Sequence, residues 1–582
     1  MKKYIKILSV GALMAGLSSC TDLDTPFDAQ YSTIPNNPIA VDAEFSACYR
    51  ELNGWFGRDF AEGVVYQGDE VMGCNYGPGS YYDDGRYLDA SIHSLHLDNW
   101  RTKIMDGCMV GCTKCNDKIN TYGGPEFNDP VVAPLRAMRA YYTFWMMDLY
   151  GRCPIMDRKM EEGEVMDLSE RADVARWIES ELLDVLGQEG ALSKENNINT
   201  YGKPNYWMAA ALLVKLYLNW GVYTHDITTV DNNTPNEKLN DCVKWCDEII
   251  ASGIFEVGNG YRKKFFPDNG VHIKDFIFAI DCEPGVKGDG TTTWYRWFGF
   301  KKDGLCVPNP NGWPEANPKS VAGNAVLTKE AVDRFNLPGD ERNEIILAGP
   351  QFAFDANYNK TDVPVNFYKT PGKESTFGGQ LNFRADFDFD DASIYNLGAE
   401  DQPAINKSNV AAGIALLNIQ KGARCYKYPP RQVDYSLWDR QQDNDSPIFR
   451  YADILLTKAE CIMRGATATN GATVADLVNQ VRICANAPTV SGNFTFQDLM
   501  DERSREFILE PWRRNDLIRC GMFENDWGQK NRYKVWDDAE HTQFHWVERP
   551  GVKDPNRRLM PYHRTILETN LNWSQNPGYQ GL

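Results

Sequence analysis

The sequence predicts a mainly α-helical fold, a solenoid of antiparallel helix pairs interrupted once by a loop-rich α+β insertion. Three observations predict it. Apolar residues recur at helical spacing in a series of stretches before residue 252 and again after residue 448. Those stretches come in neighbouring pairs, and each pair needs the next to bury its apolar face, as in tetratricopeptide-like arrays. Between them, over residues 253–447, the texture changes to Gly, Pro, Asn and Asp punctuating short apolar pieces such as Phe276-Ile277-Phe278-Ala279-Ile280.

In chain order, Asp42 to Leu52 reads as a first helix. Asn99 to Tyr122 reads as a second, with Trp100, Ile104, Cys108, Cys115 and Ile119 on one broad apolar face. Pro134 to Tyr150 and Ser169 to Leu186 follow, then Lys203 to Tyr223 and Asn240 to Ser252. A last pair runs from Ile448 to Gly465 and from Val474 to Ala485. The strict 34-residue tetratricopeptide signature is absent, so the repeat rests on pairing. The insertion should carry recognition, because loops on a rigid frame are where ligands are usually met.

Residues 1–19 differ from the rest. Met1-Lys2-Lys3 is basic, Ile5 to Leu17 is mostly apolar, and Leu17-Ser18-Ser19-Cys20 closes with small residues and a cysteine, as a lipoprotein signal does. The apolar run is short for a bilayer, so cleavage before Cys20 and lipid attachment to its sulfur are expected. The remaining chain, 20–582, is expected to be one domain with helix pairs over about 40–252 and 448–520.

A formal charge of −19 argues against a nucleic-acid partner, since phosphate recognition needs a basic face. Aromatics make up 12% of the chain, with 16 Trp and 28 Tyr, and such rings join a flat apolar face to a polar tip. That chemistry suits a sugar, whose C–H faces lie on rings while its hydroxyls meet Asp, Asn and Arg. Fourteen cysteines besides Cys20 could pair, yet a chain of 582 residues buries a core without staples, and most read as small buried hydrophobes.

Several patterns imitate chemistry. Cys108-x-x-x-Cys112-x-x-Cys115 has the spacing of a cluster-binding radical enzyme, but on a helix all three thiols share one face and read as a core stripe. His541-x-x-x-His545 and His93-x-x-His96 lack a third ligand and read as surface or core histidines. Asp386-x-Asp388-x-Asp390-Asp391 begins like a calcium loop, but Asp391 replaces the turn glycine and Leu397 the final Glu, so a strand edge is preferred. No GxSxG elbow, Walker loop or dinucleotide fingerprint is present, and no catalytic residue, metal or cofactor is expected.

Two clusters of aromatic and polar residues stand out in non-helical stretches. Tyr66, Tyr76, Tyr81 and Tyr82 lie with Asp69, Glu70, Asn75, Asp83, Asp84 and Arg86 in a Gly-rich segment. Trp294, Tyr295, Arg296 and Trp297 are followed by Asn309, Asn311 and Trp313. Each ring alone is as readily a loop-packing residue as a ligand contact.

Five motifs in order resemble the SusD/RagB family. They are Leu135-Arg136-Ala137-Met138-Arg139-Ala140-Tyr141-Tyr142 with Asp148-Leu149-Tyr150-Gly151 and Pro154; Lys427-Tyr428 with Arg450-Tyr451-Ala452-Asp453-Ile454-Leu455-Leu456 and Ala459-Glu460; Val478-Asn479-Gln480-Val481-Arg482, where Ile483-Cys484 departs from the pattern; Glu502-Arg503-Ser504-Arg505-Glu506 through Glu510 and Arg514 to Arg519; and Asn570 to Tyr579, ending Gln575-Asn576-Pro577-Gly578-Tyr579. Arg503, Glu506, Glu510, Arg513 and Asp516 have helical spacings that set opposite charges on neighbouring turns, and read as scaffold, as Tyr141, Tyr142 and Trp145 read as core. The resemblance implies a non-catalytic, cell-surface lipoprotein of the outer membrane that binds an oligosaccharide or polysaccharide and serves a SusC-like TonB-dependent transporter. It also implies that both aromatic clusters lie on the sugar-binding face, and that Asp22 and Asp24 belong to a surface-export signal. Peptide capture is the alternative within the same class, and a surface glycoside hydrolase the alternative outside it.

Overall fold

The computed structural model describes residues 38–73, 86–282, 325–368, 377–383, 385, 422–429, 443–525, 532–536, 544–548 and 551–582. Two compact units are distinguished, residues 1–47 and 48–582. In the first, the described residues form the beginning of helix α1, Pro38–Arg50. The signal segment, Cys20 and the Asp386 to Asp391 run lie outside the described residues.

Three short helices, α2 (Leu52–Trp55), α3 (Arg58–Gly63) and α4 (Arg86–Ser91), precede the solenoid. The solenoid then runs through α5 (Ile104–Tyr122), α6 (Ala133–Tyr150), α7 (Arg171–Gly187) and α8 (Tyr206–Leu218). After α9 (Trp220–Thr224), α10 (Leu239–Ala251) packs back on α8. The predicted single helix Lys203 to Tyr223 divides at Asn219, whose side-chain amide donates to the Lys215 carbonyl at 3.0 Å and so competes with the helix ladder.

Small residues explain the tightest contact, between α5 and α6. A Cβ added at Gly111 would stand 2.5 Å from the Tyr142 ring, so only glycine lets the two helices approach this closely. Cys108, Cys112 and Cys115 continue the same narrow face and are buried, which is the core stripe that their spacing predicts. Arg136 and Arg139 on α6 both reach Glu181 on α7, Arg136 Nη2 at 2.8 Å, so the arginines of the first motif are interhelical ties.

The insertion leaves after α10, and the chain resumes the solenoid with α12 (Tyr451–Met463), α13 (Val474–Cys484), α14 (Phe496–Phe507) and α15 (Arg513–Arg519). α10 packs directly on α12, so the solenoid continues across the insertion as if it were absent. Lys458 of α12 meets Asp247 of α10 at 2.6 Å, and Lys215 of α8 pairs with Asp453 of α12. Thr473 and Thr495 open α13 and α14 with full capping boxes closed by Asp476 and Asp498.

A two-stranded clasp closes the insertion. Strand Phe276–Ile280 pairs antiparallel with Ser446–Arg450, with a bulge between Pro447 and Phe449 that accommodates the proline. The helix predicted to begin at Ile448 therefore begins at Tyr451; residues 448–450 are strand. Asp275 at the clasp's end accepts the Tyr451 N–H through its carbonyl and the Ala452 N–H through its carboxylate at 2.9 Å, capping α12 from across the insertion.

Within the insertion the described pieces are short antiparallel ladders, such as Phe352–Phe354 with Lys360–Pro364 and Ile346–Leu347 with Arg424–Cys425. Leu347, Phe354, Val365, Leu381, Phe383 and Tyr426 give them a small core of their own. Helix α11 (Lys329–Arg334) joins this region to α14. α16 (Arg564–Thr569) precedes the terminal Gln575-Asn576-Pro577-Gly578-Tyr579 motif, where Asn576 donates to the carbonyls of Tyr150 and Met560, each at 2.8 Å.

The centre is electrostatic and aromatic together. Arg450 at the clasp's end is buried and reaches Asp275 (2.6 Å), Glu506 (2.7 Å) and Glu510 (2.8 Å). Lys427 donates to Glu510 at 2.6 Å, Arg342 to Glu502 at 2.9 Å, and Arg503 to Asp516 at 2.8 Å. Alongside, Trp145 stacks on Trp512 at 5.1 Å between centroids, and Trp512 on Phe449 at 5.5 Å. Replacing Arg450 by Met takes the shared cation from three buried carboxylates and leaves each with one other, Lys264, Arg342 or Lys427, so unfolding in denaturant is expected to show a loss of about 3 kcal/mol; a loss below about 1 kcal/mol would show that the network bears no weight.

Candidate functional site

Strand Val71–Gly73 pairs antiparallel with Ala325–Leu327, with Val71 opposite Leu327 and Gly73 opposite Ala325. The chain runs from the first strand into residue 74 and enters the second from residue 324. The segments carrying the two aromatic clusters are thus rooted on adjacent, hydrogen-bonded positions. Asn75, Tyr76, Tyr81, Tyr82 and Asp83 of the first cluster lie outside the described residues, as do Trp294, Tyr295, Arg296, Trp297, Asn309, Asn311 and Trp313 of the second. The backbone of Arg86 opens α4.

Tyr66 and Asp69 are corrections to the candidate set. Tyr66 is 1% exposed and Asp69 2%, so neither presents a face to a ligand. Asp69 is enclosed by arginines: Arg513 donates to both of its oxygens at 2.6 and 2.7 Å, and Arg334 to one of them. The Asp69 carbonyl takes the Thr328 hydroxyl at 2.6 Å. These bonds fasten the root of the strand pair to α11 and α15, which is a positioning role.

Glu70 lies beside it, wholly buried, accepting the Ser504 hydroxyl at 2.9 Å and the Leu509 N–H at 3.2 Å. Leu509 is held at φ 62, a backbone conformation that a leucine keeps only when its neighbours fix it. Burial pushes the Glu70 carboxyl up to about 7, with Arg513 opposing and Asp69 reinforcing the shift. A carboxyl raised in the folded state binds its proton more tightly there than when unfolded, so its contribution to stability is full below about pH 4.5 and falls as pH rises toward 7. Denaturant unfolding at pH 5 and pH 8 should therefore show Glu70→Gln gaining on the parent protein by on the order of 2 kcal/mol across that interval. An identical difference at both pH values would mean that Glu70 does not titrate in this window.

The side chain that does face solvent is Trp100, 64% exposed. Asn99 is buried and accepts the Arg101 N–H at 3.0 Å, opening the 3-10 turn Trp100–Thr102 before α5 begins at Ile104. Trp100 thus lies outside the helix whose apolar face it was predicted to share, and its ring points away from the core. The Lys103 ammonium stands 4.9 Å from the ring centroid. Asp98, two residues earlier, is held by Arg564 at 2.6 and 2.9 Å, which keeps it below the usual carboxylate range. His96 is exposed, its Nε2 3.6 Å from Asp89, and Asp89 in turn takes the Asn99 amide at 3.5 Å. A flat apolar ring with ionic and amide groups in the adjoining chain can stack under the C–H face of a ring-shaped ligand and bond its periphery.

This patch connects to the candidate loops through described residues. Asp89 lies on α4, the helix that ends the segment 74–85, and α4 packs against strand Val71–Gly73. Sequence periodicity missed Trp100 as a site residue because the i to i+4 step to Ile104 matches a helix; the signal that identifies it is the Asp98-Asn99 start pair immediately before it.

The imitation motifs resolve physically. Burial pushes all three thiols of the cysteine stripe up, Cys112 to about 12, as enclosure in an apolar helix interface requires. His93 stacks on Phe523 with centroids 4.0 Å apart, while His96 faces solvent, so the two do not converge. His545 belongs to strand Phe544–Glu548, which ends the notion of a helical pair with His541. Among the described residues no three His, Cys, Asp or Glu side chains are arranged to hold a metal ion.

A family model described as the SusD family matches residues 274–579, just over half of the sequence. The chain belongs to the SusD family. It is 24% identical over 469 residues to the starch-binding protein SusD of Bacteroides thetaiotaomicron, covering 77% of this chain and 72% of that protein. Its fold is similar to that of surface glycan-binding protein A from Bacteroides fluxus, with a TM-score of 0.63 at 17% identity over 94% of this chain and 100% of the other. It is similar also to a laminarin-binding SusD-like protein, with a TM-score of 0.61 at 16% identity over 93% and 99% of the two chains.

Trp100→Ala should leave this SusD-family fold within about 0.5 kcal/mol of its parent in denaturant unfolding, whereas Trp145→Ala should cost about 3 to 5 kcal/mol. Comparable losses for both would mean that Trp100 is packed.

Proposed function

We propose that this chain is a surface lipoprotein, anchored through Cys20 to the outer membrane, that captures a glycan and passes it unchanged to a SusC-like TonB-dependent transporter. The observation that carries the reading is the exposed Trp100 ring, with Asp98, His96 and Lys103 close by in the chain and linked through Asp89 and α4 to the strand pair at which the first aromatic segment begins and the second ends. Starch-binding and laminarin-binding relatives support a neutral glucan or similar polysaccharide as the ligand class.

The physics suits capture and release. One exposed ring contributes about 0.5 to 1.5 kcal/mol of stacking, so a few such rings together give useful affinity without trapping the ligand. Delivery then requires that ligand contacts differ between a free and a transporter-docked state, since a ligand shifts an equilibrium only by its differential affinity. Catalysis is not part of the proposal, and the bound sugar leaves with its linkages intact.

A Cys20→Ala protein, which stays soluble if Cys20 is the anchor, tests the reading on a glycan array. Retention of at least one polysaccharide is expected, weakened up to about tenfold by Trp100→Ala and further when Trp294, Trp297 and Trp313 are also changed to Ala. Retention of peptides in place of glycans would favour a peptide-import role, and release of shortened products would make the protein a glycoside hydrolase.

A further inference from the structure

The sequence holds five Asn-Gly pairs, beginning at Asn53, Asn259, Asn269, Asn311 and Asn470. Such a pair carries a chemistry of its own. A glycine lets its backbone nitrogen approach the side-chain carbonyl carbon of the preceding asparagine, because no Cβ stands in the way. Attack there closes a five-membered imide and releases ammonia. Water then opens the ring, either to aspartate or to the isomer in which the chain runs through the side chain. The fold decides which pairs can reach that geometry; Asn311 lies outside the described residues.

Three of the four described pairs are locked. Gly54 lies within helix α2, and its N–H donates to the Glu51 carbonyl at 3.1 Å. Gly260 donates to the Cys484 carbonyl at 3.0 Å. The Asn269 side chain is held at both ends, donating to the carbonyls of Lys264 and Asp445 at 3.0 and 3.2 Å and accepting the Asp445 N–H at 2.8 Å. In each of these an existing hydrogen bond must break before attack can begin.

Asn470-Gly471 differs on every count. Both residues are exposed, at the tip of the connection between α12 and α13. φ is 56 at Asn470 and 67 at Gly471, and the Ala472 N–H donates to the Thr469 carbonyl at 3.1 Å, as in the type I′ turn that Asn-Gly favours. Among the described residues neither the Asn470 side chain nor the Gly471 N–H has a hydrogen-bond partner. A Cβ built on Gly471 would meet no atom within 4 Å, so the space around the attacking nitrogen is open. The flanks, by contrast, are fixed: Thr469 donates to Asp247 at 2.5 Å, the Thr467 N–H to Asn240 at 2.9 Å, and Thr473 caps α13. One backbone hydrogen bond holds the tip, which can therefore open without disturbing either helix.

We infer that Asn470 is a site of spontaneous deamidation selected by the fold. The Gly471 nitrogen bonds to Asn470 Cγ, the Cγ–Nδ2 bond breaks, and the side-chain nitrogen leaves as ammonia with the proton from the Gly471 amide. One water adds when the imide opens, so an amide is exchanged for an acid and the chain becomes more negative by one charge. Where the isomer forms, the backbone gains a methylene at residue 470 and the bond from Ala472 to Thr469 no longer closes. That turn adjoins the Lys458–Asp247 pair between α12 and α10, so the change reaches the solenoid at its exposed edge.

Incubation of the full chain in detergent at neutral pH and physiological temperature, followed by proteolysis and mass spectrometry, tests the inference. The peptide carrying Asn470 should acquire the mass of an amide-to-acid exchange at least about tenfold faster than those carrying Asn53, Asn259 and Asn269. In denaturant the four rates should converge, since the pairs then share one chemistry. Gly471→Ala should slow the Asn470 reaction by about tenfold in denaturant as well as in the folded protein, which separates hindrance of the nitrogen from any effect of the alanine on the turn. Equal rates at the four sites in the folded protein overturn the inference, as does an Asn470 rate that Gly471→Ala leaves unchanged. A preference for Asn470 that persists in denaturant overturns it too, because selection would then come from flanking sequence and not from the fold.

Discussion

Everything in this molecule depends on a guanidinium kept out of water. Arg450 ends the strand that closes the insertion and begins the helix that resumes the solenoid, and it meets three carboxylates from two distant places in the chain. Burial disfavours its partner Asp275, yet Lys264 and Arg450 hold that carboxyl below its ordinary range, so the ion pairs persist. Glu502 and Glu460 are each held near 2 against burial by the arginines around them. Such a network is weak evidence for extra stability, because desolvating the charges offsets much of their attraction. Its effect is specificity: each carboxylate accepts only one arrangement of the chain, and an insertion of nearly two hundred residues must return to the place it left.

The second consequence is that the site is held by residues that cannot touch a ligand. Asp69 and Glu70 are fixed by Arg513, Arg334, Ser504 and the Leu509 N–H, all from helices or turns belonging to the same network. They set the base of the strand pair, and the strand pair sets where the first aromatic segment begins and the second ends. Substitutions at Asp69 or Glu70 therefore bear on folding, because both are buried and tied to α11, α14 and α15.

The helices were legible because their apolar faces repeat at helical spacing, and at α8, α13 and α14 the start also carries an Asn or Thr cap. Residues 448–450 were misread because a doubly buried strand is a continuous apolar run, and Ile448-Phe449 fits either period when the partner strand lies some 170 residues upstream. The short helices α3 and α11 escaped notice because six residues hold less than two turns, too few for a pattern. Asp69 looked like a ligand contact because its Gly-rich surroundings resemble a loop; the arginine that claims it stands 444 residues away in the chain. Trp145, Tyr141 and Tyr142 were correctly read as core, since their motif is helical and its large rings lie among apolar neighbours.

The aromatic surplus has two unrelated causes, and composition alone cannot separate them. Trp145, Trp512, Phe449, Phe144 and Tyr141 form a stacked interior beside the ion pairs, where large flat rings fill the space between helices and cover charged groups at van der Waals distance. Arg450 lies 4.8 Å from the Phe507 ring centroid and Lys427 4.5 Å from that of Phe265, so buried rings also stabilise the buried cations through their π faces. A high Trp and Tyr content would thus be expected of this scaffold even if it bound nothing. What distinguishes Trp100 is that the same chemistry is turned outward: Asn99 is buried, the 3-10 turn rotates the next side chain off the helix, and among the described residues the charge over the ring is an ammonium on a flexible stem. Lys103 can swing aside for a ligand at small cost, whereas the interior rings are held on every side. The exposure of this ring is therefore set by the backbone turn before α5, since the buried Asn99 and the 3-10 turn after it keep Trp100 off the helix that begins at Ile104.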